Sequence, residues 1–173
     1  MISQKIIFQS KYFKVNQIVV ERNGKKFVKE IVERNPFVVV LALTPKNEVY
    51  LVSQYRDALQ KTSLEVVAGL IEPGETPAHA AKRELQEETG LIAQTVTPLI
   101  TGNVSPNMVN ICNIFVATDL ISGQTQQDDD EDIEVIKVPL SQAIKKIETG
   151  EISILSHVAA LLLFDKLQKE GKV

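Results

Sequence analysis

Gly69-Leu70-Ile71-Glu72-Pro73-Gly74-Glu75-Thr76-Pro77-Ala78-His79-Ala80-Ala81-Lys82-Arg83-Glu84-Leu85-Gln86-Glu87-Glu88-Thr89-Gly90-Leu91 is a loop running into a helix. Gly69 and Gly74 suit a loop with unusual backbone angles and close approaches. From Pro77 the pattern predicts a helix to Thr89: Thr76 is placed as its N-cap, proline suits its first position and Gly90 its stop. Glu84, Glu87 and Glu88 stand three and four residues apart and project toward one side of that helix, while Ala78, Ala81 and Leu85 form a neighbouring apolar stripe that can dock on a sheet. Carboxylates crowded in this way repel one another. Mg²⁺ or Mn²⁺, which want hard oxygen ligands, would offset that repulsion and in turn hold a diphosphate. Arg83, with Glu75 as a candidate ion-pair partner, is set to brace the loop against the helix. The plainer alternative for a glutamate-rich helix is a solvated face.

Upstream, Leu64 to Ala68 reads as a short strand feeding the loop. Before it, Lys5 to Gln9, Tyr12 to Glu21 and Lys26 to Val32 are rich in Val, Ile and Phe, and Asn23-Gly24 supplies a hairpin turn between the last two. These form an N-terminal antiparallel unit over residues 1–35. Asn35-Pro36 punctuates the chain before Phe37 to Leu43, a continuous apolar run that predicts a strand buried on both faces. Val49 to Ser53 is its expected hairpin partner across Pro45-Lys46-Asn47. Downstream, strands are expected at Ile92 to Thr101, Asn110 to Thr118 and Asp132 to Val138, and helices at Ser141 to Thr149 and Ser156 to Lys169. Between two of these strands lies the polar, acidic stretch Gln124 to Asp132.

The composition bounds the function. At 173 residues, 44% hydrophobic and 24% charged, the chain suits one domain with one sizeable core. A formal net charge of -3 with scattered Lys and Arg argues against an extended polyanion such as nucleic acid as the main partner. Cys112 is the only cysteine, so no internal disulfide forms, and its apolar surroundings read as a core thiol. With no signal-peptide pattern and no 18-residue apolar run, a cytoplasmic chain without membrane association is expected. His79 and His157 have no companions at metal-ligand spacing and read as structural or exposed.

The loop-helix segment resembles the Nudix box: Gly, five residues, Glu, seven residues, Arg-Glu, an aliphatic residue, any residue, Glu-Glu, any residue, Gly, an aliphatic residue. Gly69, Glu75, Arg83, Glu84, Leu85, Glu87, Glu88, Gly90 and Leu91 meet every fixed position. At ordinary residue abundances, a chance match at the seven invariant letters is on the order of 10⁻⁸ to 10⁻⁹ per starting position, so the solvated-face reading gives way.

Within the Nudix family the likeness is to the ADP-ribose pyrophosphatases. It implies an α+β fold, an α/β/α sandwich with a mixed sheet over residues 36–173, to which the N-terminal antiparallel strands are added as an element exchanged between subunits of a homodimer. It implies hydrolysis of ADP-ribose to AMP and ribose 5-phosphate with Mg²⁺, or Mn²⁺, as cofactor. Glu84 and Glu88 become the principal metal ligands, with Glu87 beside them and the Ala68 carbonyl completing the site. Gln54-Tyr55-Arg56 followed by Leu64 to Gly69 looks like the family's arginine strand leading into its box. That places Arg56 on the diphosphate, a bidentate task suited to guanidinium, and Glu65 on the substrate side. The alternative for Arg56 is a surface arginine beside Asp57. Pro106 lies fifteen residues after Leu91, where the ADP-ribose-type members have Ser-Pro-Gly; here the triplet is Ser105-Pro106-Asn107. Arg34 and Phe37 are assigned to the nucleoside end of the cleft. In the acidic stretch, Glu131 aligns as an added metal ligand and Asp129 as a general base. Two other functions fit the same resemblance: hydrolysis of another nucleoside-diphosphate sugar, and a sensor domain that binds ADP-ribose without cutting it.

Overall fold

Val38 to Ala42 are fully buried, as the continuous apolar run predicts. The rest of the fold is arranged around them in a computed structural model that describes residues 1–125 and 133–173. The described residues run in order through β1 (Ser3–Gln9), β2 (Phe13–Arg22), β3 (Lys25–Arg34), β4 (Phe37–Ala42), β5 (Glu48–Arg56), β6 (Lys61–Glu65), β7 (Val67–Leu70), α1 (Pro77–Thr89), β8 (Leu91–Asn103), β9 (Met108–Val109), β10 (Ile111–Ser122), β11 (Ile133–Pro139), α2 (Leu140–Glu148) and α3 (Leu155–Lys169).

Three sheets result. The central one has the order β7-β4-β10-β8 and is mixed, because β4 runs parallel to β10 and antiparallel to β7. A second has the order β11-β5-β6, and the N-terminal strands form a third, β1-β2-β3-β9. The hairpin from β2 to β3 turns at Asn23 and Gly24, both left-handed with φ of 53° and 73°, the turn that asparagine-glycine favours. Every residue of β1 is exposed, including Ile6 and Phe8, and Phe27 and Val28 on β3 are exposed as well. None of the described helices is long and apolar enough to cross a membrane.

Successive residues of β4 point to opposite sides. Val39 and Leu41 belong to a core that includes Leu140, Ala143, Ala160, Leu161 and Phe164 of α2 and α3. Val38, Val40 and Ala42 belong to a second core, with Ala80, Ala81 and Leu85 of α1. The central sheet is thus sandwiched between α1 on one side and α2 with α3 on the other, an α+β architecture.

Three local expectations are corrected. β5 is not the ladder partner of β4: the two share one bridge, Leu43 with Val49, and the turn bond from Thr44 N to Glu48 O at 2.9 Å. A strand has two edges, and those of β4 are taken by β7 and β10, so β5 pairs with β6 and β11 instead. The single strand expected over Leu64 to Ala68 is two, broken at Val66, with Glu65 in one sheet and Ala68 in the other. Ala78 is exposed, and Ala80 is buried in its stead. Ala78 sits in the first turn of α1, and the docked face runs through Ala80, Ala81, Leu85 and Glu88, which carries the acidic residues toward the sheet.

Candidate active site

The helix that bears the carboxylates is held at both ends by local chemistry. Thr76 accepts a hydrogen bond from the His79 amide, Pro77 occupies the first turn, and Gly90 closes the C-terminus at φ 69° while donating to Gln86 O. Gly69 on β7 makes room for α1: a Cβ added there would run into the carboxylate of Glu84. Glu84 therefore lies against the backbone of β7, next in sequence to Ala68.

Arg83 ties this junction together. Its Nε and Nη2 reach Glu75 Oε1 and Oε2, both at 3.0 Å, and Nη2 also donates to Leu70 O at 2.9 Å. Nη1 donates to Glu84 Oε1 at 2.9 Å and Glu87 Oε2 at 2.8 Å. All five N–H donors of the guanidinium are thereby used. Glu75 also accepts from the Glu72 amide at 3.1 Å and meets His79 Nδ1 at 2.8 Å. The Arg83 contact, helped by these neighbours and opposed by burial, holds the Glu75 carboxyl down at about 2. The same glutamates, Glu75 foremost, hold Arg83 firmly in its charged form.

Glu75, Glu84 and Glu87 share one guanidinium, and Glu88, 4% exposed, adds a further buried carboxylate. The junction carries an excess of negative charge in a poorly solvated place, which a divalent cation would neutralise with hard oxygen ligands. The hard oxygen donors of this set fit such an ion, and the absence of a side chain at Gly69 lets the Glu84 carboxylate reach the backbone of β7. Glu84 and Glu88, with the Ala68 carbonyl, could hold it, Glu87 lying alongside. Among the described residues no three acidic, His or Cys side chains stand converged as a ready ligand cluster; the Arg83 guanidinium draws Glu84 and Glu87 to itself instead.

Arg56, at the end of β5, is gripped by Glu65 of β6: Nε to Oε1 at 2.8 Å and Nη2 to Oε2 at 2.6 Å. Glu65 is 1% exposed. Behind it stands His157 of α3, also buried, with Nδ1 3.8 Å from Glu65 Oε2. Spacing along the chain offered no sign of this pair, because β6 and α3 meet only through the tertiary fold. Reading His157 as structural or exposed leaves out its contact with an ion-paired carboxylate.

The remaining residues singled out from the sequence lie outside the Arg83 network, Phe37 being paired across the sheet with Leu70 of β7. Arg34 ends β3 in a recess shared with Gln9, Lys11, Lys14 and Asn35. Phe37 begins β4, half-buried against the core, and its carbonyl accepts from Asn113 Nδ2 at 3.3 Å. Pro106 sits in a turn closed by Met108 N to Ser105 O at 3.4 Å, with no left-handed residue at Asn107. Cys112 is a core thiol that burial pushes up to about 11. Asp129 and Glu131, with the acidic stretch around them, lie outside the described residues.

The chain is similar in sequence and in fold to known proteins. The family model of the NUDIX domain matches residues 33–158. The chain is 38% identical over 133 residues to an ADP-ribose pyrophosphatase of Bacillus subtilis (strain 168), a match covering 75% of this chain and 72% of that protein. It is 34% identical over 161 residues to a methanol dehydrogenase activator of Bacillus methanolicus, covering 84% of this chain and 87% of the relative. The crystal structure of an ADP compounds hydrolase, 28% identical, superposes with a TM-score of 0.87 over 99% of this chain and 95% of that one.

Proposed function

The chain belongs to the Nudix family, and from that premise we propose that it is a divalent-metal-dependent pyrophosphohydrolase that converts ADP-ribose and water to AMP and ribose 5-phosphate. The observation that carries the reading is the junction of β7, loop and α1, where a fully used arginine holds the glutamates of the box against a glycine-lined strand. The similarity to an ADP-ribose pyrophosphatase and to an ADP compounds hydrolase supports the substrate.

In this reading Glu84 and Glu88 are the principal ligands, with the Ala68 carbonyl and with Glu87 beside them, and Mg²⁺ is the ion, Mn²⁺ an effective substitute. The bound ion would neutralise the diphosphate, orient it and acidify a water. Arg56 binds the diphosphate and Glu65 keeps the guanidinium in place, while Arg34, Phe37 and Pro106 border the nucleoside and sugar. A carboxylate of the acidic stretch, Glu131 or Asp129, takes the proton of the attacking water or adds a ligand. The water oxygen bonds to one phosphorus as the bridging oxygen leaves with the other, and either choice of phosphorus gives the same two products.

We further propose that residues 1–35 dimerise the chain, since the exposed apolar side chains of β1 and β3 would gain a covering surface, and that the protein works in the cytoplasm. The deciding experiment is a screen of nucleoside-diphosphate sugars with Mg²⁺ or Mn²⁺, reading phosphate after a phosphatase step. ADP-ribose should show the highest kcat/KM. A GDP- or UDP-sugar ahead of it would reassign the substrate, and no turnover of any compound would leave a binding domain.

A further inference from the structure

Arg56 is a surface-reaching side chain whose direction is set from inside. Its side chain is 35% exposed, yet the carboxylate that grips it is buried. Such a carboxylate is costly to keep unless its surroundings are fixed and its charge compensated. The guanidinium supplies the compensation through two bonds. The wall behind is His157, whose Nδ1 faces Oε2, the very oxygen that accepts from Arg56 Nη2 at 2.6 Å. Nδ1 is buried and makes no hydrogen bond among the described residues, its separation from Oε2 being 3.8 Å. Gln54 and Ser63, opposite each other across β5 and β6, complete a small buried polar layer between these strands.

Burial pushes His157 down to about 4, opposed by Glu65 and aided by Arg56, so the ring is neutral near pH 7. Neutrality matters here. An imidazolium would compete with Arg56 for the one carboxylate, whereas a neutral ring presents a polar edge to Oε2 without a rival charge.

We infer that His157 is a positioning residue: from α3, on the far side of the sheet from the carboxylate helix, it fixes Glu65 and through Glu65 holds Arg56 in the orientation that receives the diphosphate. This rests on the reading of Arg56 as a diphosphate ligand. Binding by a preset guanidinium avoids the ordering that a free arginine would undergo. A misplaced guanidinium loses ground-state and transition-state contacts together, so KM should respond more than kcat.

The test uses the full chain with His157→Leu, His157→Asn and His157→Gln, alone and on Arg56→Ala, and two readouts. The first needs no substrate: the NMR signal of the Arg56 Nε–H, assigned by its loss in Arg56→Lys, should be protected from exchange in the wild type and in His157→Asn, whose amide takes the place of Nδ1. It should lose protection in His157→Leu, and in His157→Gln, whose amide reaches the place of Nε2. The second is kinetic: His157→Leu should raise KM for ADP-ribose roughly tenfold with kcat within about threefold, and should add nothing on Arg56→Ala. A protected signal in His157→Leu, equal behaviour of the Asn and Gln variants, or the same rise in KM with and without Arg56 would each overturn the inference. An Arg56→Ala variant with unchanged KM would instead remove the diphosphate reading beneath it.

Discussion

Arg83 and Glu75 meet fork to fork, Nε on Oε1 and Nη2 on Oε2 at 3.0 Å each, across the loop that joins β7 to α1. Two parallel charge-assisted bonds fix direction as well as distance. Lysine offers three donors from a single point and cannot reproduce the pattern. Arg83→Lys should therefore lower stability by about 1–3 kcal/mol, between the values for an exposed pair and a broken buried pair because Arg83 is 21% exposed. The urea midpoint gives the measurement. Turnover should fall further than the lost stability accounts for, since Glu84 and Glu87 lose their common anchor.

Gly69→Ala separates folding from chemistry. The added methyl meets the far end of a flexible glutamate, so the strand can keep its place while the Glu84 carboxylate gives way. The melting temperature should stay within a few degrees of the wild type and kcat should fall by roughly 10²-fold or more, as it should in Glu84→Gln and Glu88→Gln. In parallel, Mg²⁺ should raise the melting temperature of the wild type and do so less in each variant. Wild-type turnover in Gly69→Ala would detach Glu84 from the site.

Acid should weaken the fold in two separate windows. Glu75 is depressed from 4.5 to about 2, so the stability it contributes is complete above pH 4.5 and is lost as pH falls toward 2. His157 is depressed from 6.5 to about 4, so the unfolded chain takes up a proton first and stability drops between pH 6.5 and 4, with no further loss below. Denaturation of the wild type and His157→Asn at pH 7, 5 and 3.5 should show the wild type losing up to about 3 kcal/mol relative to the variant across the upper window. Glu75→Gln should differ from the wild type in acid sensitivity only across the lower one.

Replacing acidic residues between Asp128 and Asp132 one at a time should single out one of them. Glu131→Gln, or failing that Asp129→Asn, should lower kcat by roughly 10²- to 10⁴-fold with little change in melting temperature, the usual worth of a general base. Five variants all within about threefold of the wild type would turn attention to Glu87.

Removal of residues 1–34 takes away β1, β2 and β3. Sedimentation should find the intact chain as a dimer at micromolar concentration and the shortened one as monomer or aggregate with poor activity. A monomeric intact chain would sink the proposal.

What could be read from the sequence was local. Thr76, Pro77 and Gly90 mark the ends of α1 because caps act within one turn, and the Glu75–Arg83 contact spans one loop. The apolar run of β4 announced burial on both faces, since no side of it could meet water. Partners were harder to read. Nothing within Val49 to Ser53 tells that both edges of β4 are already taken, and nothing near Ala78 tells that the docked face of α1 begins at Ala80. The meeting of His157 with Glu65 depends on where α3 lands after the sheets have formed. Spacing along a chain records periodicity, and tertiary neighbours far apart in it leave no such trace.

β4 has no outer side, and this bears on how the molecule comes apart. Val38, Val40 and Ala42 serve the layer of α1, Val39 and Leu41 the layer of α2 and α3. Neither layer can peel away without stripping one flank of the same short strand, so the two cores share a single cooperative transition. The amides of Val38 to Ala42 should be among the last to exchange with solvent, in step with those of Leu85 and Leu161. The carboxylate helix thus rests on a strand whose other flank is covered by α2 and α3, so loosening α3 should be felt at the glutamates.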